Sequence, residues 1–158
     1  MLYANADQKV LGYLGRALSL ELSAIQQYAT FARLVAAWGF VDDAGKLKRE
    51  SVEEMQHVDK LIMRMLALGS APNSSMVRPV KLGSNLSEIL KHSIEMEQDL
   101  VSLYSKAVTH CVSIADYDNR RFFEELLKDE QSHMKELIER KRKLETIDPN
   151  MQDSGVTF

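Results

Sequence analysis

Four long stretches of the chain repeat apolar residues at intervals of three and four, which is the spacing of one face of an α-helix. Almost no segment alternates as a β-strand does. Pro149 ends the fourth stretch, because proline lacks a backbone N–H and clashes with the preceding turn. The tail at 148–158 is polar and has no apolar stripe, so no fifth helix is expected there. A single all-α domain over residues 1–158 is predicted, with helices at about 7–37, 42–68, 86–111 and 116–147.

The lengths of the connections predict the topology. The first and last links are short, so each adjacent pair of helices should form an antiparallel hairpin. The middle link, from Gly69 to Asn85, is long, polar and contains proline. If the second and third helices run parallel, this link must travel the whole bundle: a helix of about 27 residues spans roughly 40 Å, and about 16 extended residues reach roughly 50 Å. The prediction is two antiparallel hairpins joined by one long crossover, as in ferritin-like four-helix bundles.

Composition and charge exclude several classes of protein. The chain has 158 residues, of which 45% are hydrophobic and 27% charged, as in ordinary helix-rich globular proteins. A net charge of −3 without a basic stripe argues against nucleic-acid binding. No apolar run has the length of a membrane span or resembles a signal peptide. The single cysteine, Cys111, excludes an intrachain disulfide and fits a reducing compartment. A cytoplasmic protein without a membrane or nucleic-acid partner is expected.

Each predicted helix carries a carboxylate in the middle of its apolar stripe. On the second and fourth helices a histidine follows the glutamate by three residues, so both side chains lie on one face. The two glutamates of each hairpin are 33 residues apart (54 minus 21 and 130 minus 97), so the hairpins resemble copies of one unit. This repetition predicts that all the side chains meet at one level of the bundle. They are Glu21, then Glu54 and His57, then Glu97, and finally Glu130 and His133.

Four inward carboxylates in one core indicate a metal site. A lone glutamate on an apolar stripe usually reaches the surface, and a single Glu-x-x-His arises by chance on a charged helix. Four together are different, because an unpaired buried charge is very costly and no inward lysine or arginine lies at that level. Two divalent cations would balance the four negative charges, and two neutral imidazoles would complete the ligands. This is the signature of di-iron and di-manganese carboxylate proteins, and such ligands suit manganese as well as iron.

From about residue 5 to 147 the chain resembles the bacterioferritins. The segments that carry this resemblance are ELSAIQQY, WGF, RESVEEMQHVDK and DYDNRRFFEELLKDEQSH. The resemblance implies that Glu21 and His57 bind one iron, that Glu97 and His133 bind the other, and that Glu54 and Glu130 bridge the two. It also implies a ferroxidase, an enzyme that oxidises Fe²⁺ with O₂ or H₂O₂ and so stores and detoxifies iron.

Two aromatic residues and the expected partners also follow from the resemblance. Tyr28 and Trp38 match positions that the family uses for electron transfer near the site, although plain core packing would explain them equally well. The implied assembly is a homo-oligomer built from dimers, with a ferredoxin-type reductant as a further partner. Because no fifth helix is expected, a 24-mer cage, a 12-mer and a bare dimer all stay open.

Met55 is the candidate haem ligand. It lies about 100° around the helix from Glu54, so it cannot face the metal pair. With Val52, Ile62 and Leu66 it forms a second apolar stripe that points away from the bundle core. A methionine on such a stripe is usually ordinary packing. The resemblance, however, implies a haem shared between two subunits, with one Met55 from each as axial ligand.

The chain departs from the family at one further position, and two other functions stay open. Arg49 stands where many bacterioferritins carry a histidine that holds iron on the inner cage surface, although Glu50 and Glu53 remain as acidic neighbours. A rubrerythrin-like protein that consumes peroxide or O₂ is one alternative, but a lone cysteine excludes the rubredoxin-like module that such proteins usually carry. The other alternative is a haem-carrying electron-transfer protein in which the di-metal site is structural.

Overall fold

The predicted all-α architecture is confirmed. The computed structural model describes residues 6–73 and 76–147, and within them it contains four helices and no strand. The third helix continues two residues beyond its predicted end at Cys111, and the predictions for the 148–158 tail lie outside the described residues. The helices are α1 (Gln8–Ala37), α2 (Val41–Ala67), α3 (Leu86–Ser113) and α4 (Tyr117–Ile147).

Side-chain caps and one glycine determine where the helices begin and turn. Asp7 Oδ1 accepts a hydrogen bond of 3.0 Å from the N–H of Val10 at the start of α1. At the start of α3, Asn85 Oδ1 accepts one of 2.9 Å from the N–H of Glu88. Each bond satisfies an N–H that the helix leaves without a partner. Between α1 and α2 the chain reverses through Gly39 at φ 91°, a conformation that glycine adopts without steric cost.

The crossover topology is also confirmed. The segment between α2 and α3 runs along α1: the side chain of Gln27 exchanges two hydrogen bonds with the backbone of Lys81, at 2.7 and 2.8 Å. Nearby, the N–H of Arg78 donates to Ser23 Oγ at 2.9 Å. These bonds satisfy backbone groups of an irregular segment that would otherwise need water. They hold the crossover against the bundle while α2 and α3 run parallel.

The hydrophobic core extends along the bundle and is interrupted near its middle by a layer of polar side chains. Its largest buried side chains are aromatic: Tyr28, Phe31, Tyr104 and Phe123. Helix α1 packs along α2, and α3 packs along α4, whereas α2 and α4 approach each other through long polar side chains. That wider gap leaves room for carboxylates and imidazoles inside the bundle. No helix in the described part of the chain combines the length and the apolarity needed to cross a membrane.

Candidate metal centre

The six side chains singled out from the sequence lie together inside the bundle. All four glutamates are completely buried, and His57 and His133 are only 3% and 7% exposed. Their ligating atoms form two groups, and within each group the atoms lie no more than 4.8 Å apart. The first group is Glu21, Glu54, His57 and Glu130; the second is Glu50, Glu54, Glu97 and His133. The structure thus adds one residue, Glu50, to the predicted set.

Glu54 and Glu130 lie between the two histidines. His57 Nδ1 is 3.2 Å from Glu54 Oε2 and 2.7 Å from Glu130 Oε1. His133 Nδ1 is 3.1 Å from Glu54 Oε1 and 3.6 Å from Glu130 Oε2. Each of these carboxylates therefore presents one oxygen to either histidine, which is the arrangement that a carboxylate bridging two cations requires.

Two buried tyrosines orient the other two glutamates. The hydroxyl of Tyr28 donates to Glu97 Oε1 at 2.5 Å, and that of Tyr104 donates to Glu21 Oε1 at 2.6 Å. The second oxygen of each of these carboxylates, Oε2, is buried and accepts no hydrogen bond from the described residues. A buried carboxylate oxygen without a donor is costly. A cation bound between the helices would satisfy both oxygens.

Each histidine has a further carboxylate on the side of its ring that faces away from the cluster, and this carboxylate determines which ring nitrogen faces the cluster. His57 Nε2 lies 3.1 Å from Asp129 Oδ2, and His133 Nε2 lies 2.6 Å from Glu53 Oε2. Because an ionised carboxylate only accepts hydrogen bonds, each Nε2 carries a proton, and each Nδ1 faces the cluster, where a cation that displaces the Nδ1 proton would find its lone pair. Metal-binding histidines characteristically have such a carboxylate partner.

Burial and mutual contact shift the pKa values in the cluster strongly. Burial raises the pKa of Glu97 to about 7 and that of Glu130 to about 8, and it raises the pKa of Glu21 well above its usual value. Burial acts in the same direction on Glu54, but hydrogen bonds with Glu21 and both histidines hold its pKa below the usual range. For the histidines, burial lowers the pKa, and hydrogen bonds to the carboxylates outweigh it and raise the pKa. Near neutral pH the cluster therefore holds protons that a bound cation would displace.

Comparison with known proteins assigns the family. The ferritin-like domain family matches residues 11–147. The bacterioferritins of Brucella melitensis biotype 1 and Rhodobacter capsulatus are each 38% identical to the chain over 130 residues, which make up 82% of this chain and 81% of each relative. The chain belongs to the bacterioferritin family.

A solved structure of R. capsulatus bacterioferritin has the same fold. It matches this member of the family with a TM-score of 0.88 and 33% sequence identity, over 98% of this chain and 97% of that one. That structure has a metal-free dinuclear site and a haem iron in a crystallographic special position. Fold, family and the paired carboxylate–histidine groups support a ferritin-like function in iron storage.

Of the other residues considered from the sequence, Tyr28, Glu50 and Glu53 lie at the cluster, whereas Met55 and Trp38 lie outside it. Met55 is 56% exposed on the face of α2 that points away from the core, as are Val52 and Leu66. Trp38 caps the C-terminal end of α1, roughly 25 Å along the helix axis from Glu21 at 1.5 Å per residue. It therefore does not contact the metal centre of its own chain.

Sequence reasoning did not assign the supporting residues to the cluster, and it considered Glu50 and Glu53 only as acidic neighbours on the inner cage surface. Asp129 directly precedes Glu130, and Glu53 directly precedes Glu54. The helical repeat of the sequence places both residues on the solvent-facing side of their helices. Tyr104 lies seven residues after Glu97, as Tyr28 lies after Glu21, so the repeat itself could have identified it. Glu50 lies four residues before Glu54, on the same helix face, and that spacing was the available signal for it.

Proposed function

We propose that the chain is a ferroxidase that oxidises Fe²⁺ at the buried carboxylate–histidine cluster and passes the iron into storage. The observation that carries this proposal is the pair of ligand groups that share Glu54, with Glu130 directing one oxygen toward His57 and the other toward His133. Each group offers one histidine nitrogen and several carboxylate oxygens, the donors that suit a divalent iron ion. We assign Glu21 and His57 to one iron, Glu97 and His133 to the other, and Glu54 and Glu130 to both.

The substrate in this proposal is a pair of ferrous ions. Each loses one electron, and the two electrons reduce one O₂ to H₂O₂, or one H₂O₂ to two waters, with two protons consumed in either case. The protein binds the pair in a defined arrangement, because tyrosine hydroxyls orient Glu21 and Glu97 while Asp129 and Glu53 fix the histidine tautomers. The cluster also supplies protons, since carboxyl groups with raised pKa values must release theirs when iron binds.

Stopped-flow oxidation of Fe²⁺ under air tests the proposal. Glu130→Ala or His133→Ala should abolish the rapid phase because each removes a ligand, while circular dichroism still reports folded helices. Glu125→Ala on the same helix is the matched control, since Glu125 is exposed, and it should oxidise iron at the unaltered rate. A rapid phase that survives in Glu130→Ala would show that oxidation happens elsewhere on the protein.

We further propose that Met55 binds haem at a contact between two copies of the chain. Met55, Val52 and Leu66 leave an apolar strip exposed on α2, and a thioether is a soft ligand for iron. A haem iron in a special position, as in the R. capsulatus relative, lies on a symmetry element that relates two copies. When the protein is reconstituted with haem, Met55→Leu should lose the Soret band yet oxidise Fe²⁺ normally. Met63→Leu, at a methionine that is 64% exposed, is the control, and a Soret band retained by Met55→Leu refutes the assignment.

The same strip supports a homo-oligomer. The bacterioferritin family implies an oligomeric cage, and pairing two copies through α2 would cover apolar side chains that are otherwise exposed to water. Native mass spectrometry of the full chain should show an assembly larger than the monomer, with a mass that is an even multiple of the 18.0 kDa chain. A monomer at micromolar concentration would contradict this assignment.

A further inference from the structure

The two hairpins are related by a pseudo-two-fold axis that extends beyond the six ligands. Adding 76 to a residue number in the first hairpin (97 minus 21) gives its counterpart in the second. The hydrogen bond from Tyr28 to Glu97 matches that from Tyr104 to Glu21. The supporting contacts follow the same rule: His57 with Asp129 matches His133 with Glu53, and Arg64 with Asn119 matches Arg140 with Asp43.

The symmetry breaks at one position in the cluster. Glu50 is only 9% exposed, and its counterpart is Leu126, an apolar core residue that is 1% exposed. Glu50 Oε2 lies 3.1 Å from His133 Nδ1, yet it accepts no hydrogen bond of suitable geometry from the described residues. One half of the cluster therefore has a buried carboxylate oxygen that the other half lacks.

Glu50 also reaches the remaining ligands of that half. A ligating oxygen of Glu50 lies within 4.8 Å of those of Glu54 and Glu97 and of a ring nitrogen of His133. On its other side Glu50 lines a cavity of about 420 Å³ bounded by α2, α3 and α4, together with Glu53 and Leu90. The carboxylate thus lies between the cluster and a space with room for water.

We infer that Glu50 is a seventh ligand, which binds only the iron held by Glu97 and His133 and makes that position the tighter of the two for a divalent cation. The inference rests on the proposed di-iron function. Its physical reason is that affinity for a divalent cation rises with the number of charged carboxylate ligands. Glu54 and Glu130 each direct one oxygen toward either histidine, so Glu50 would give the Glu97–His133 position a fourth carboxylate where the other position has three. Leu126 offers no donor atom to the iron held by Glu21 and His57.

Anomalous diffraction from crystals soaked in limiting Co²⁺ tests this directly, because it reports the occupancy of each position without any turnover. In the unaltered chain the Glu97–His133 position should have the higher occupancy at one Co²⁺ per chain. Glu50→Gln has the same shape but a neutral side chain. It should lower the affinity of that position roughly tenfold while leaving the Glu21–His57 position unchanged.

Two further variants distinguish direct binding of the metal by Glu50 from an effect of negative charge near the site. Glu50→Asp keeps the charge but shortens the side chain, so it should also weaken the Glu97–His133 position. Glu136→Gln removes an exposed charge near Glu50 and should leave the occupancy ratio unchanged. Equal occupancies in the unaltered chain, or the same shift with Glu136→Gln, would overturn the inference while leaving the di-iron proposal intact. Co²⁺ bound at neither position would instead refute the proposed function itself.

Discussion

Raising the pH of the protein after its metals have been removed should destabilise the bundle. The folded chain holds the pKa of Glu97 at about 7 and that of Glu130 at about 8, against 4.5 in the unfolded chain. Between these values the folded state binds protons that the unfolded state has released. Their stabilisation is therefore complete below pH 4.5 and is lost as the pH rises through 7 and 8.

The size of the effect follows from the burial of Glu97, which is completely inaccessible to water. A difference of one in pKa between folded and unfolded states corresponds to about 1.4 kcal/mol. The rise from 4.5 to about 7 at Glu97 alone therefore amounts to about 3 kcal/mol of the free energy of unfolding, of which about 2 kcal/mol is lost above pH 5.5. For a chain of this length that measured part is roughly 4–8 °C in Tm. The histidines act in the same direction, because their pKa values are also raised. Glu54, whose pKa is lowered, affects stability only in acid.

Thermal unfolding followed by circular dichroism, on protein stripped with a chelator and held in one oligomeric state, measures this effect at pH 5.5 and 8.5. Glu97→Gln should reduce the pH dependence by the contribution of Glu97, because the substituted side chain cannot titrate while Glu130 and the histidines still do. Glu95→Gln, at a partly exposed residue two positions away, should retain it. With saturating Zn²⁺ the stabilisation by metal should instead increase with pH, since ligand protons must leave before the metal binds. Stability of the stripped protein that stays level or rises between pH 5.5 and 8.5 would refute the reasoning.

Three further substitutions test the supporting contacts. Asp129→Ala removes the carboxylate behind His57 and should weaken Zn²⁺ binding roughly 10–100-fold in calorimetric titration; unchanged affinity would mean that the contact does not position the ring. Tyr104→Phe deletes a buried hydroxyl and should slow Fe²⁺ oxidation in stopped flow without changing the helix content, whereas an unaltered rate would contradict the orienting role. Asp43→Ala leaves Arg140 without its bidentate partner and should lower the free energy of unfolding, measured in urea, by about 2 kcal/mol. A loss well below this would mean that the pair contributes no more than an ion pair on the surface.

The helices and their connections could be predicted because their signals are local. An apolar repeat of three and four residues depends on neighbours along the chain, and a link of known length spans a calculable distance. Six of the clustered residues were predictable for a related reason. A histidine three residues after a glutamate shares its helix face, and the equal intervals in the two hairpins place both pairs at one level.

The amino-acid sequence by itself determined the four helices, their crossover and the six residues that meet in the core. Only the tertiary structure decided that Glu50 joins them, that Asp129 and Glu53 support the histidines, and that Glu54 and Glu130 each direct one oxygen toward either histidine. Periodicity places a side chain on one face of its own helix. Whether that face meets a ligand, a cavity or water depends on the distance and rotation of the helix opposite, which become defined only when the bundle packs.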